Sequence, residues 1–544
     1  VQRTRLKSNL KALFFVGAND TLLPGNMGQG GLLTERDREW FQKEKQALSP
    51  GAKEKTYIQK FYLYMNLTKP EEFLHISYSK VSSDGKTLRP AYLVWDLKKL
   101  FPKLVVTEEE ALLMTQRELT PGEGLEFVIR GVRDRYLGVD ESWKELYTWY
   151  RQNEGQKVDR ILDAGFFKKK PDALTGEEAA ELYGEKKQFS VTRMERFSAC
   201  AYAHFLTYGL HLSDRERYEF EAMDLGNIAH QSMERFARKA QEKRMPWPKL
   251  EEVQRDAMIE ESVEESIKDY GNTVLYSTAR NEYMIVRIKQ LIRRSVWALT
   301  RQMEKGDFEP SGYEMNFGSG KIDRIDTCED EDMVYVKVTD YKTGMKSFDI
   351  VALYHGLQMQ LPVYLNAALE LEERRAPGKT VEPAGIFYYR IKDPIVDREK
   401  DDHALEEKIL KELRLDGMIN AKEEVIEHLE HQLSGTSVLN PIGKNKDGSL
   451  NRYSKVLPPE AFAAMLSYTK KKEAQVKRQI YAGEVQANPY ELNGSTGCDY
   501  CAYRDICGFD PRLDGYAYRS LEKYSKEEVI RRMEEEIENR EEPS

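Results

Sequence analysis

Two aspartates and a lysine in neighbouring strand-like segments are the residues of this chain best suited to chemistry. The first segment is Gly320-Lys-Ile-Asp323, and the second carries Asp340 and Lys342. The polar turn between the segments predicts a hairpin, and the two-residue period of a strand puts Asp340 and Lys342 on one face. Folding brings Asp323 beside Asp340, and two such carboxylates suit a hard cation such as Mg²⁺. The simpler interpretation is a surface Asp–Lys salt bridge on an ordinary hairpin.

Two helical motifs add polar side chains to this set. Gly226 and His230 lie one helical turn apart, so the imidazole projects where a glycine permits close approach. His230 could be a metal ligand, although a lone helical histidine is more often structural. Gln360 and Tyr364 share one face of a second helix, where they could contact a substrate or complete a buried polar network. With a bound cation, the whole set could activate a water molecule against a phosphoryl group, with Lys342 orienting the nucleophile.

Cysteines form a second constellation. Cys498, Cys501 and Cys507 follow a C-x2-C-x5-C pattern, and Cys200 is a fourth candidate almost 300 residues upstream. Four thiolates suit an iron–sulfur cluster or zinc, and spacing alone barely separates the two. Inert buried thiols are the alternative, and disulfides are a weaker explanation for a chain that looks intracellular. Cys328, in the acidic turn 326–332, is expected to be an exposed thiol without a role.

Periodicity predicts the elements that must position these residues. Alternating or short apolar runs predict strands at 11–17, 71–79, 320–325, 333–340 and 384–390. Apolar residues at helical spacing predict helices at 54–67, 225–240 and 282–304, and a capped amphipathic helix in the tail from Ser525. Residues 107–185 are charged and mostly helical in pattern.

Composition limits the class of protein. The 83 Lys and Arg against 92 Asp and Glu give a net charge of −9, which argues against wholesale coating of nucleic acid but permits a local basic channel. Apolar runs are too short for a membrane helix, and five cysteines are too few for a disulfide scaffold. Because the chain begins at Val1 without Met or an export signal, we expect it to start inside a longer polypeptide.

The order of these motifs resembles the nuclease domain of the RecB family, within the PD-(D/E)xK superfamily. The segment around Cys200 and the run Cys498–Cys507 resemble the beginning and the end of this domain in the AddB family. The resemblance spans about residues 190–510. It implies a [4Fe–4S] cluster held by Cys200, Cys498, Cys501 and Cys507, with zinc the less favoured occupant. Ala201 stands where the family usually has proline.

The resemblance also implies roles for the polar side chains. His230, Asp323 and Asp340 would bind Mg²⁺, and Lys342 would position or activate the attacking water. Gln360 and Tyr364 would support the site or the DNA backbone. The stretch between Glu314 and Asp323 is short for the family, so Glu314 is given no metal role.

Upstream residues resemble motifs of superfamily 1 helicases, at Phe14–Pro24 and Tyr64–Tyr78. Lys69 stands where a motor would carry arginine, and no G-x4-G-K-[ST] motif is present, so no ATP site is expected. The predicted fold is therefore α/β, with an inactive helicase-like remnant followed by a nuclease domain that has a mixed sheet flanked by helices and a cluster staple. The predicted boundaries are 1–105 for the remnant, 106–185 for a helical connector, 186–511 for the nuclease domain and 512–544 for a helical tail.

The function implied is that of a Mg²⁺-dependent DNA exonuclease in the bacterial cytoplasm. It would form a heterodimer with an AddA-like motor, resect double-strand breaks for recombination and cut the 5′-ended strand. One alternative is a DNA-scanning scaffold subunit with a vestigial site, and another is an iron–sulfur electron carrier. The basic runs Lys168–Lys170 and Lys470–Lys472 could line a DNA path, but solvated helix faces explain them more simply.

Overall fold

Two units, residues 1–165 and 166–544, divide the chain. A computed structural model describes most of both units, and the described residues are 9–23, 38, 40–41, 43–44, 46, 48–82, 85–108, 120–134, 143–166, 173–184, 189–213, 220, 222–270, 273–318, 320–397, 399, 401–513 and 515–538. Pro24 of the first helicase-like motif and the run Lys168–Lys170 lie outside these residues.

The first unit contains a parallel pair of strands joined through a helix. Strand β1 (Leu10–Phe15) pairs with β2 (Pro70–Ile76), and helix α1 (Ala52–Leu67) lies between them in sequence. The predicted strands at 11–17 and 71–79 and the predicted helix at 54–67 are thus confirmed. Four further helices complete the described part of this unit: α2 (Tyr92–Leu100), α3 (Pro121–Asp134), α4 (Trp143–Asn153) and α5 (Gly155–Gly165).

A buried asparagine organises the loop after β1. Asn19 is 2% exposed, and its amide donates hydrogen bonds to the carbonyls of Ser79 (2.7 Å) and Arg89 (3.2 Å). Its side-chain oxygen accepts a bond from Ser79 N at 3.1 Å. Because an unpaired buried amide is costly, these bonds hold the loop against the segment after β2. The helicase-like character of this unit stays a prediction.

A mixed six-stranded sheet forms the centre of the second unit. Its order is β3-β4-β5-β6-β7-β8, with parallel pairing of β5 with β6 and of β7 with β8, and antiparallel pairing elsewhere. The strands are β3 (Glu309–Phe317), β4 (Gly320–Glu329), β5 (Met333–Lys342), β6 (Thr380–Arg390), β7 (Asp416–Asn420) and β8 (Val456–Leu457). The predicted hairpin is β4–β5, and the predicted strand at 384–390 is part of β6.

Helices cover both faces of this sheet, as expected for an α/β domain. In chain order they are α6 (Gly176–Tyr183), α7 (Val191–Ala199), α8 (Ala201–His204), α9 (Ala222–Glu242), α10 (Glu252–Asp269), α11 (Ala279–Met303), α12 (Ile350–Tyr354), α13 (Gln360–Arg375), α14 (Asp402–Glu412), α15 (Glu423–Leu429), α16 (Pro459–Tyr481), α17 (Arg504–Cys507) and α18 (Lys526–Glu538). A small three-stranded sheet lies near the end of the chain: β9 (Tyr490–Leu492), β10 (Ser495–Thr496) and β11 (Arg519–Ser520). The predicted helices at 225–240 and 282–304 correspond to α9 and α11.

Two hydrophobic cores lie on the two faces of the sheet. Along β6, Phe387 and Tyr389 join the core formed with α9, α10 and α11, whereas Ile386 and Tyr388 join the core formed with α13 and α16. This alternation is the two-residue period of a strand that is buried on both sides. Both faces of the central strands are therefore closed, and polar chemistry on them is confined to strand ends.

The tail packs against the second core. Ser525 Oγ accepts a hydrogen bond from Glu528 N at 3.2 Å, which is the predicted cap of α18. Val529 and Met533, one turn apart on α18, are 0% exposed. The helices of the described residues are too short or too polar to span a lipid bilayer.

Cys328 corrects the sequence analysis. Strand β4 continues to Glu329, so Cys328 lies within the sheet and not in a turn. It is 5% exposed and packs in the core that contains α11. Burial, together with the nearby carboxylates of Asp307 and Asp330, raises the pKa of its thiol to about 12. The prediction of an exposed thiol is wrong because the strand is longer than its apolar pattern indicates.

Candidate active site

The hairpin brings the two predicted aspartates together. Arg324 pairs with Thr339 across β4 and β5, so Asp323 and Asp340 follow at the same end of the ladder. Asp323 Oδ2 accepts a hydrogen bond of 2.8 Å from Tyr341 N. Asp340 is 1% exposed.

Three side chains converge on Asp340. Lys342 Nζ lies 2.5 Å from its Oδ2, and Gln360 Nε2 donates a 2.7 Å hydrogen bond to its Oδ1. Gln360 Nε2 also donates to Tyr364 Oη at 3.0 Å, so the two predicted supporting residues form one network with Asp340. Because Gln360 is the first residue of α13, this network joins the helix to the end of β5.

His230 approaches the same carboxylates from α9. Its Nδ1 lies 3.3 Å from Asp323 Oδ2, and its ring meets the ring of Tyr341 nearly edge-on at 6.0 Å. A Cβ on Gly226, one turn earlier, would lie 3.2 Å from Thr343 Oγ1. The glycine therefore lets α9 approach the end of β5, as its spacing from His230 predicted.

Glu314 belongs to this cluster although the sequence analysis gave it no role. One ligand atom each from His230, Glu314 and Asp323 lies within 4.8 Å of the others. Glu314 has a φ of 48° in β3 and lies opposite Asp323, between the pairs Tyr313–Arg324 and Met315–Ile322. Lys321 Nζ lies 2.5 Å from its Oε2. No strand was predicted at 309–317, so Glu314 had no predicted position.

Glu195 is a second residue that the sequence did not reveal. It lies on α7, and its Oε1 accepts hydrogen bonds from Met359 N (2.7 Å) and Gln360 N (3.0 Å). A carboxylate at the first turn of α13 is stabilised by the free N–H groups there. It fixes the start of the helix that carries Gln360. Contacts across 164 residues leave no local signal in the sequence.

Burial and mutual repulsion dominate the electrostatics of the site. Burial, and next the charge of Asp323, raise the pKa of Asp340 against the opposing effects of Lys342 and His230. Burial and Asp323 likewise raise the pKa of Glu314. Burial opposes the charge of His230, but its hydrogen bond to Asp323 and the charges of Asp323 and Asp340 outweigh it and raise the pKa of the imidazole. Buried carboxylates that repel one another are the condition that a bound cation relieves.

The cysteine segments meet at the two ends of the nuclease-like region. Cys200, Cys501 and Tyr503 pack in one cluster, and the charge of Cys200 contributes to the raised pKa of Cys498. Two hydrogen bonds hold the segments together, from Tyr503 Oη to Leu212 O (2.8 Å) and from Ala201 N to Asn488 Oδ1 (3.0 Å). All four thiols are free. Among the described residues, the four sulfur atoms do not form a group of three within 4.8 Å.

Comparisons with known proteins agree with this geometry. Residues 188–508 match the family model described as the PD-(D/E)XK nuclease superfamily. The ATP-dependent helicase/deoxyribonuclease subunit (AddB) of Lachnoclostridium phytofermentans is 37% identical over 97% of the chain and 48% of that protein. The proteins of the same name from Alkaliphilus oremlandii and Caldanaerobacter subterraneus are each 32% identical, over 98% and 97% of the chain and 49% and 48% of their own lengths. The chain spans about half the length of these curated relatives.

Proposed function

Because the chain belongs to the PD-(D/E)XK nuclease superfamily, we propose that its second unit hydrolyses DNA phosphodiester bonds with Mg²⁺. The observation that carries this proposal is the convergence of His230, Asp323, Asp340 and Lys342 at one end of the β4–β5 hairpin. These side chains come from a helix and two strands, and a simple salt bridge would need only Asp340 and Lys342. The set is complete, which argues against a vestigial site.

The residues present fit a Mg²⁺ ion. His230, Glu314 and Asp323 each offer a ligand atom within a 4.8 Å group, and Asp340 adds a buried carboxylate whose charge is coupled to Asp323. Carboxylate oxygens are the ligands that Mg²⁺ prefers. We assign His230, Asp323 and Asp340 as metal ligands, and add Glu314 on the strength of its position.

Catalysis would divide between the ion and the protein. When bound, Mg²⁺ supplies charge that polarises a phosphoryl oxygen and lowers the pKa of a water ligand. The Lys342 ammonium, fixed by Asp340, would hold the attacking water in line with the scissile phosphate. Gln360 keeps Asp340 in place and is itself positioned by Tyr364 and by the capping carboxylate of Glu195. The protein thus contributes mainly positioning and electrostatic stabilisation.

Glu314→Gln tests the added ligand. We expect the variant to need about tenfold or more Mg²⁺ for half-maximal cleavage, because metal sites that lose a supporting group typically weaken about 10–100-fold. The measurement is the initial cleavage rate as a function of Mg²⁺ concentration. Glu370→Gln, an exposed glutamate paired with Lys470, is the matched control. An unchanged Mg²⁺ requirement together with a lower melting temperature would make Glu314 a purely structural residue.

We further propose that Cys200, Cys498, Cys501 and Cys507 hold a [4Fe–4S] cluster. Tetrahedral zinc, with Zn–S bonds of about 2.3 Å, needs sulfur atoms about 3.8 Å apart. The wider spacing of these thiols favours the larger cluster. Cys507 Sγ also accepts a hydrogen bond from Phe509 N at 3.4 Å, a contact of the kind that tunes iron–sulfur centres.

Iron content checks the cluster. Anaerobically purified protein should contain about four irons per chain and absorb visible light, because the four-thiolate ligand set matches a [4Fe–4S] centre. Cys498→Ser should lose both properties, and Cys328→Ser, which removes a cysteine outside the four, should keep them. Zinc in place of iron, with no visible absorption, would contradict the assignment.

The relatives' names extend the proposal to the whole protein. They describe one subunit of an ATP-dependent helicase/deoxyribonuclease. We propose that this chain is part of such a subunit and works with an AddA-like motor on DNA ends in the bacterial cytoplasm. Break resection for recombination, cutting of the 5′-ended strand and an inactive helicase-like first unit are parts of the same proposal.

The first experiment is cleavage of end-labelled single-stranded DNA by anaerobically prepared protein, with Mg²⁺ or with EDTA. We expect cleavage with Mg²⁺ only. If no cleavage occurs with Mg²⁺, both for the chain alone and together with a motor subunit, the scaffold interpretation replaces the nuclease. Iron without any effect on DNA cleavage or binding would favour the electron carrier.

A further inference from the structure

A second cluster of metal-binding side chains lies at the other end of β4, away from the proposed nuclease site. Asp307, Cys328 and His428 each offer a ligand atom within 4.8 Å of the other two. They line a cavity of about 450 Å³, together with the carboxylates of Glu309 and Glu329. Cys328 and Asp323 are five residues apart on one strand, which corresponds to roughly 16 Å. This Cys328 cluster is therefore separate from the site at Asp323.

Backbone hydrogen bonds fix the two segments that meet at Cys328. Asp307 N donates to His428 O at 2.8 Å, and His431 N donates to Lys305 O at 2.8 Å. Between them, a Cβ on Gly306 would lie 2.4 Å from His428 O, so only glycine permits this approach. The loop after α11 and the end of α15 are thus held together before any ion binds.

The imidazole of His428 is oriented as in metal sites. Its Nδ1 lies 2.8 Å from Asp307 Oδ2, and its Nε2 lies 3.2 Å from Asp330 Oδ2. A metal-binding histidine almost always gives its other ring N–H to a carboxylate or carbonyl. Asp330 would play that part, which leaves Nδ1 directed toward Asp307 and Cys328. The ring also packs against Tyr335, with centroids 5.4 Å apart.

The donor set selects the cation. One sulfur, one imidazole nitrogen and one carboxylate oxygen suit Zn²⁺, whereas Mg²⁺ takes oxygen ligands. Zn²⁺ deprotonates a coordinating thiol outright, so the buried Cys328 can bind as a thiolate. His431 Nε2, 2.9 Å from Asp307 Oδ1, holds the remaining oxygen of that carboxylate. We infer that Asp307, Cys328 and His428 form a structural Zn²⁺ site that ties the loop after α11, strand β4 and the end of α15 together.

Zinc titration of the protein tests this site. The parent chain, stripped of loosely bound metal, is dialysed against Zn²⁺, and the bound zinc per chain is measured. His428→Asn and Cys328→Ser should each bind one zinc fewer than the parent. Asp330→Asn should bind zinc about 10–100-fold more weakly, because only the orienting carboxylate is lost. His403→Asn, an exposed histidine beside Glu407 on α14, should match the parent.

Three outcomes decide the matter. Loss of one zinc in both ligand variants, with weakened binding in Asp330→Asn, supports the site. Equal zinc in the parent and both ligand variants overturns it, because any zinc then lies elsewhere, for example on the other four cysteines. If a variant unfolds, the parent still decides: a Co²⁺ thiolate band that appears with iron fully retained supports the site, and no such band overturns it.

Discussion

Replacing Asp340 by alanine is expected to lower Mg²⁺-dependent DNA cleavage by about 10³-fold or more, since loss of a single charge-stabilising group already costs about 10²–10³. Asp340 has two tasks in the proposed site. It is a metal ligand, and it anchors Lys342 (2.5 Å) and Gln360 (2.7 Å). Both tasks end in the variant. Initial rates with end-labelled single-stranded DNA under anaerobic conditions measure the loss.

A matched control separates this effect from damage to the hairpin. Asp332 lies in the exposed turn between β4 and β5, at the opposite end of the same hairpin. Asp332→Asn should therefore cleave DNA at the parent's rate. Equal cleavage by the parent and Asp340→Ala would mean that the activity comes from a contaminant or from another site.

Lys342→Met is expected to lower kcat by about 10²–10⁴-fold, the usual contribution of a positioned proton-handling group. The variant removes the ammonium that holds the water. It also removes a positive charge that keeps the pKa of Asp340 down. Because the metal needs the ionised carboxylate, the acidic limb of the pH–rate profile should move to higher pH.

Two comparisons resolve the contributions of Lys342. Lys342→Arg keeps the charge but replaces a compact ammonium with a planar fork, so it should restore the position of the acidic limb without restoring kcat. Lys379→Met, an exposed lysine beside Glu329 at the far end of the sheet, should leave both unchanged. A normal kcat in Lys342→Met at saturating Mg²⁺ would remove Lys342 from the catalytic proposal.

The hairpin part of the site could be predicted because its determinants are local. A strand, a polar turn and a second strand fix the positions of Asp323, Asp340 and Lys342 through the two-residue period alone. The i, i+4 relation of Gln360 and Tyr364 is equally local, and the structure forms the hydrogen bond between them. The mixed sheet flanked by helices also followed from periodicity and from the order of motifs.

Glu314 and Glu195 could not be predicted because their positions depend on distant partners. Glu314 lies in an irregular strand at a positive φ, which hides the alternation that identifies a strand. Glu195 acts on backbone N–H groups 164 residues away. Cys328 was misjudged for a related reason, since its burial is set by α11 and the neighbouring strands and not by the acidic residues beside it.

Strand β5 has neighbours on every side, and this has a consequence for stiffness. It pairs with β4 along one edge and with β6 along the other, from Met333–Thr380 to Lys342–Arg390. Cores cover both of its faces. Amide hydrogens in such a strand exchange with solvent only when the surrounding unit opens, which makes it the slowest-opening class of element. Asp340 and Lys342 therefore stand on an unyielding floor, to which an approaching polynucleotide must conform.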